Sequence, residues 1–97
     1  MPTFITLLNF TDQGAKNIKD SPARLNAFAE MAKSMGITVK GAYYTMGQYD
    51  MVIIIEGPQD AATAAMVKVS SLGNIRGQTL LAHSAGEMRE IIDKVMG

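Results

Sequence analysis

The chain has 97 residues, of which 47% are apolar, enough for one domain with a single core and too few for two. Nine basic and nine acidic side chains cancel, and no block of like charge occurs, which excludes the electrostatic footprint of a nucleic-acid or anionic-membrane binder. The absence of cysteine excludes a disulfide framework, a thiol nucleophile and a cysteine metal site.

The opening "MPTFITLLNF" has no basic n-region and no small-residue cleavage site, so it does not read as a signal peptide. No apolar run approaches the length of a membrane span, and a cytoplasmic protein is expected. Thr3–Phe10 is short, apolar and β-rich, a strand. The polar connection "TDQGAKNIKD" has room for a short helical turn. A helix follows, with Ser21 as its cap and Pro22 at its first position. Leu25, Phe28, Ala32 and Met35 form its apolar stripe, and Gly36 ends it. Ile37–Met46 and "MVIIIEG" are the next two strands, joined as a hairpin by "GQYD". Pro58 and Asp60 open a second helix whose stripe is Ala62, Ala65, Met66, Val69 and Leu72, with Gly73 as its stop. "NIRGQTLLAHS" is a fourth strand. Ser84 and Glu87 form a capping box before a last helix with Met88, Ile91, Ile92 and Val95 on one face. The eight methionines, spread along the chain, read as gap-fillers in cores or interfaces.

The order predicts an α+β domain over residues 1–97: a ferredoxin-like βαββαβ fold with an extra C-terminal helix, strands one and three central, strands two and four at the edges. "KSMGITVKG" and "SSLGNIRGQ" mark the same helix-to-strand turn in the two halves. Two helices cover only one face of such a sheet, and a half-covered strand alternates apolar with polar. "MVIIIE" does not alternate. The second face is therefore expected to be buried as well. The last helix would cover part of it. A second copy of the chain covers it more economically, which predicts a homo-oligomer, a dimer or an assembly of dimers.

"LLNFTDQGAKNIKDSPAR", "YYTMGQYDMVIIIEGP" and "SSLGNIRGQTL" together resemble the GYD-domain family of small bacterial and archaeal proteins. The resemblance spans nearly the whole chain and implies a dimeric α/β-barrel assembly, without implying a chemistry. The Gly-x-Tyr-Asp hairpin is also similar to the effector-binding domain of leucine-responsive regulators, which implies a small-molecule ligand at a subunit interface.

The candidate ligand-binding residues are Tyr43, Tyr44, Tyr49, Asp50, Arg76 and Gln78. Gly47 supplies a positive-φ turn, and Asp50 accepts backbone N–H bonds there or, with Tyr49, contacts a ligand at a cavity mouth. Tyr43 and Tyr44 are adjacent on a strand and point to opposite faces. Arg76 and Gln78 share a face, where they either hold an anionic group or guard an edge. The catalytic candidates are Asn9 and His83, expected near one cavity because strands one and four are neighbours. They would serve a cofactor-independent monooxygenase- or isomerase-like activity. One histidine is too little for a metal site, and no cofactor motif occurs. Pro2 resembles the amino-terminal proline base of tautomerases in a two-residue motif only. The leading expectation is a domain that binds a small metabolite or a partner protein at or near its dimer interface.

Overall fold

β1 (Thr3–Phe10) and β3 (Met51–Glu56) are the most apolar strands, and they take the two central places in a sheet of order β2-β3-β1-β4. The edges are β2 (Thr38–Tyr44) and β4 (Ile75–Ala82), which carry more polar and glycine residues, and every pairing is antiparallel. The computed structural model describes residues 1–97. Its remaining elements are α1 (Asp12–Lys16), a 3-10 turn (Ile18–Asp20), α2 (Ser21–Ser34), α3 (Gln59–Ser71) and α4 (Ala85–Met96). This is the ferredoxin-like fold with an appended helix.

Burial alternates along β1 as far as Leu8 and along the whole of β3. Phe4, Thr6 and Leu8 of β1 and Met51, Ile53 and Ile55 of β3 are buried, while the residues between them are half-buried. The buried set faces α2 and α3, which contribute Phe28, Ala32, Ala62 and Ala65. Thr6 is the polar exception in this layer. Its hydroxyl donates to the Ile53 carbonyl at 2.9 Å, so the buried group has a partner.

The connection after β1 holds α1, capped by the Thr11 side chain, which accepts from the Gly14 N–H at 3.1 Å. The start of α2 differs from expectation. Ser21 lies inside the helix, and Asp20 precedes it without a side-chain capping bond. The 3-10 turn runs directly into α2, which leaves the Ser21 hydroxyl free for another partner. That partner is the Tyr44 hydroxyl at 2.8 Å. Both helix-to-strand turns end in glycine with positive φ, 81° at Gly36 and 83° at Gly73, and the two halves of the chain match there.

α4 does not cover the open sheet face. It buries none of its residues, and Ile92 and Val95 are 47% and 75% exposed. Only His83 and Ser84 separate it from β4, and Ser84 is extended, so the helix leaves past the end of the sheet. The radius of gyration is 14.9 Å, against about 12.5 Å for a compact chain of this length. The long dimension of 52 Å includes that projecting helix.

Candidate functional site

The face of the sheet away from α2 and α3 is defined by cross-strand register. Tyr43, Val52, Leu7 and Gln78 form one row across the four strands. Gly41, Ile54, Ile5 and Leu80 form the next, and Thr38, Glu56, Thr3 and Ala82 the third. The middle of this face is aliphatic: Ile5, Leu7, Val52, Ile54 and Leu80. Each Ile, Leu or Val buried there contributes about 1.5–3 kcal/mol. Asn9 stands opposite Arg76 at one end of the face.

The β2–β3 hairpin closes that same end. Gly47 takes φ 125°, a region open to glycine and strained for other residues. The turn is tied down on both sides, the Thr45 N–H donating to the Asp50 carbonyl at 2.9 Å and the Asp50 N–H donating to the Leu8 carbonyl at 2.8 Å. The Asp50 carboxylate accepts from the Phe10 N–H at 2.9 Å. That bond satisfies the last backbone donor of β1 beyond its pairing with β3. Tyr49 reaches over β1, and its hydroxyl accepts from the Gln78 side-chain amide at 2.8 Å. A tyrosine and a carboxylate before β3 thus have distinct jobs: Asp50 locks the hairpin to β1, and Tyr49 bridges to the far edge strand.

Tyr43, Tyr49, Asp50, Arg76 and Gln78 therefore gather at one end of the open face, with Asn9 among them. Tyr44 does not join them. It lies on the helix side, hydrogen-bonded to Ser21, and β-strand alternation sends its neighbour Tyr43 to the open side. Arg76 and Gln78 sit on a face and also on an edge strand.

Asn9 and His83 do not share a cavity. β1 and β4 are neighbours but antiparallel, so Thr3 pairs with Ala82 while Asn9 pairs with Arg76. His83, just beyond Ala82, stands near the start of β1, and six residues of strand place it about 20 Å from Asn9. His83 is exposed. Pro2 is exposed too, with its carbonyl accepting from the Gly57 N–H at 3.0 Å. No group of three or more His, Cys, Asp or Glu side chains is placed to hold a metal.

A second feature lies on the helix side and was not singled out by residue in the sequence. α2 and α3 leave a cavity of about 180 Å³ against the sheet, lined by 15 residues of which 11 are hydrophobic. Arg24 reaches into its lining. The available signal was a single cation one helical turn before Phe28 on an otherwise apolar stripe.

An open antiparallel sheet with its packed helices on one face makes this an α+β ferredoxin-like domain. The GYD domain family matches residues 4–92, and the chain belongs to that family. It is also similar to a protein of Thermus thermophilus named "Glutamine synthetase and cystathionine beta-lyase binding protein". The two are 38% identical over 85 residues, covering 84% of this chain and 88% of the relative. No helix is long and apolar enough to cross a membrane.

Proposed function

We propose that this protein is a small homodimeric adaptor that binds a partner enzyme. The observation that carries this reading is the aliphatic centre of the open sheet face, which the chain's own α4 leaves uncovered. A second copy fits it best. The face is a sheet, two sheets pack face to face about 10 Å apart, and a two-fold axis makes the same patch serve both partners. The Thermus thermophilus relative, which its name says binds two enzymes, supports a protein as the further partner. The surface offered to that enzyme is α4, whose Met88, Ile91, Ile92 and Val95 form an exposed apolar stripe. An amphipathic helix of this kind docks into a groove of its target.

Native mass spectrometry of the purified protein reads the oligomeric state, and surface plasmon resonance against immobilised glutamine synthetase reads the adaptor role. A dimer that binds the enzyme, and loses that binding in Ile91→Lys while remaining dimeric, is the expected result. A stable monomer overturns the sheet-to-sheet reading. A dimer with no affinity for the enzyme removes glutamine synthetase as the partner.

The cofactor-independent enzyme reading has less support. Its two catalytic candidates stand at opposite ends of β1, and of the polar groups near Asn9, Asp50 is bonded to the Phe10 N–H and Tyr49 to Gln78.

A further inference from the structure

The sheet has two edges, and they differ. β2 is a guarded edge. Its register with β3 slips between Val39 and Gly41, and the extra residue there is Lys40, a bulge and a cation of the kind that keeps free edges from pairing. β4 carries no such device. It pairs with β1 in one unbroken register from Ile75 to Ala82, holds no proline or lysine, and is exposed from Arg76 to Leu81. The direction of its backbone groups follows from β1. There the Leu8 carbonyl turns to β3, accepting from the Asp50 N–H at 2.8 Å, while the Thr11 N–H turns to β4, donating to the Asn74 carbonyl at 3.1 Å. Alternation therefore directs Ile5, Leu7 and Asn9 to β4, where their partners are Leu80, Gln78 and Arg76. Gly77, Thr79 and Leu81 are left with N–H and C=O groups facing away from the sheet.

We infer that β4 is an interface between two copies of this chain, paired antiparallel about a two-fold axis at Thr79. That register fits itself. Thr79 faces its own counterpart, a favourable cross-strand pair. Gly77 faces the second copy's Leu81, and each of these pairs exchanges both of its backbone hydrogen bonds. Leu81, 56% exposed, is a knob. It stands opposite buried Phe4, so it points to the helix side of the sheet. Gly77 is the hole, with no side chain and no room for one, since a Cβ there would run into the Leu7 carbonyl. Around that hole lies a groove of about 530 Å³ between α3 and β4, lined by Phe4, Met66, Val67 and Ser70. The groove is completed by the leucine of the other copy. On the open side Leu80 falls opposite the second copy's Gln78, whose side chain is drawn inward by its bond to Tyr49. The strand's single charge, Arg76, comes opposite Ala82, so the two arginines stand about 20 Å apart. A parallel, in-register pairing would set them side by side. The interface uses the edge of the sheet and not its open face, so it joins face-to-face dimers into tetramers and does not depend on them.

Isotope-filtered NMR on a mixture of labelled and unlabelled protein of unmodified sequence reads this register directly. Gln78 and the second copy's Leu80 form a non-hydrogen-bonded pair, with Cα atoms about 4.5 Å apart, against about 7 Å for the same two residues within one strand. An Hα–Hα contact between them across copies is expected. Amide exchange at Gly77, Thr79 and Leu81 is expected to be at least about 100-fold slower than in an unstructured peptide. Thr79→Pro removes a donor that points out of the sheet, a change an edge strand tolerates. It is expected to halve the mass of the assembly in sedimentation with the subunit still folded. The Gln78–Leu80 contact is expected to persist in Ile54→Glu, which separates this interface from the open-face one. Free exchange at Gly77, Thr79 and Leu81 overturns the proposal. So do contacts from β4 to β2 of another copy, or a Thr79→Pro assembly of unchanged mass. The first two of these readouts use the unmodified protein and decide the matter even where the variant fails to fold.

Discussion

Asp50 spends its carboxylate on the Phe10 N–H, a bond between residues distant in sequence that fixes the hairpin to the end of β1. Removing a charged acceptor from a half-buried backbone donor costs about 1–2 kcal/mol. Asp50→Ala is expected to lower stability by that amount in urea denaturation with an unchanged slope, while Asp50→Asn, which keeps an acceptor, loses less. Equal losses in the two variants would place the effect elsewhere. On the other side of the sheet, Ser21 is 4% exposed and depends on Tyr44 for its partner. Tyr44→Phe is expected to cost about 1 kcal/mol, measured the same way. Tyr43→Phe, on the open face, is expected to leave monomer stability unchanged. These residues show what can be read locally. That Tyr43 and Tyr44 face opposite ways follows from strand alternation alone. Which of them meets a helix does not, because that depends on where α2 crosses the sheet.

At the level of elements, α4 carries its own start signal. The Ser84 side chain accepts from the Glu87 N–H at 3.1 Å, and Glu87 accepts from the Ser84 N–H at 2.8 Å. The backbone bond from Ser84 is the main reason the Glu87 carboxyl titrates below its ordinary range, with the side-chain bond to Ser84 adding to it. A lowered value in the folded helix means that the stabilisation is fully present above the unfolded value and lost as pH falls through the folded one. The Ser84 amide resonance is expected to titrate with a midpoint below the ordinary carboxylate range, and Glu87→Gln to remove that titration while keeping the helix. A midpoint at the ordinary value would show that the capping box is not held in solution. The capping box was legible because its four residues are contiguous. The direction in which α4 leaves the sheet was not, because it depends on the extended two-residue link after β4. Ser21 shows the limit of local signals: a good capping residue was drawn into the helix when a 3-10 turn supplied a different entry.

For the whole molecule, the aliphatic rows on the open face set the main expectation. Ile54 sits at their centre, opposite Ile5 and remote from the helix-side core. Ile54→Glu is expected to weaken the proposed dimer by about 100–10,000-fold, from the apolar burial lost in both copies alone, without unfolding the subunit. Sedimentation across a concentration series reads this, and an unchanged dimer would move the interface to another surface. The apolar run Met51–Ile55 determined by itself that β3 is a central strand with apolar side chains on both faces. Periodicity, glycine stops and the capping box likewise determined the order and type of the elements, because each signal acts within one or two turns of chain. Tertiary structure alone decided the rest. Antiparallel pairing of β1 with β4 separated Asn9 from His83, register gathered Tyr43, Tyr49, Arg76 and Gln78 at one end of the sheet, and the spacing of α2 from α3 left Arg24 beside an open cavity. Those outcomes depend on which residues distant in sequence meet, and the sequence encodes that only through the packing of the whole fold.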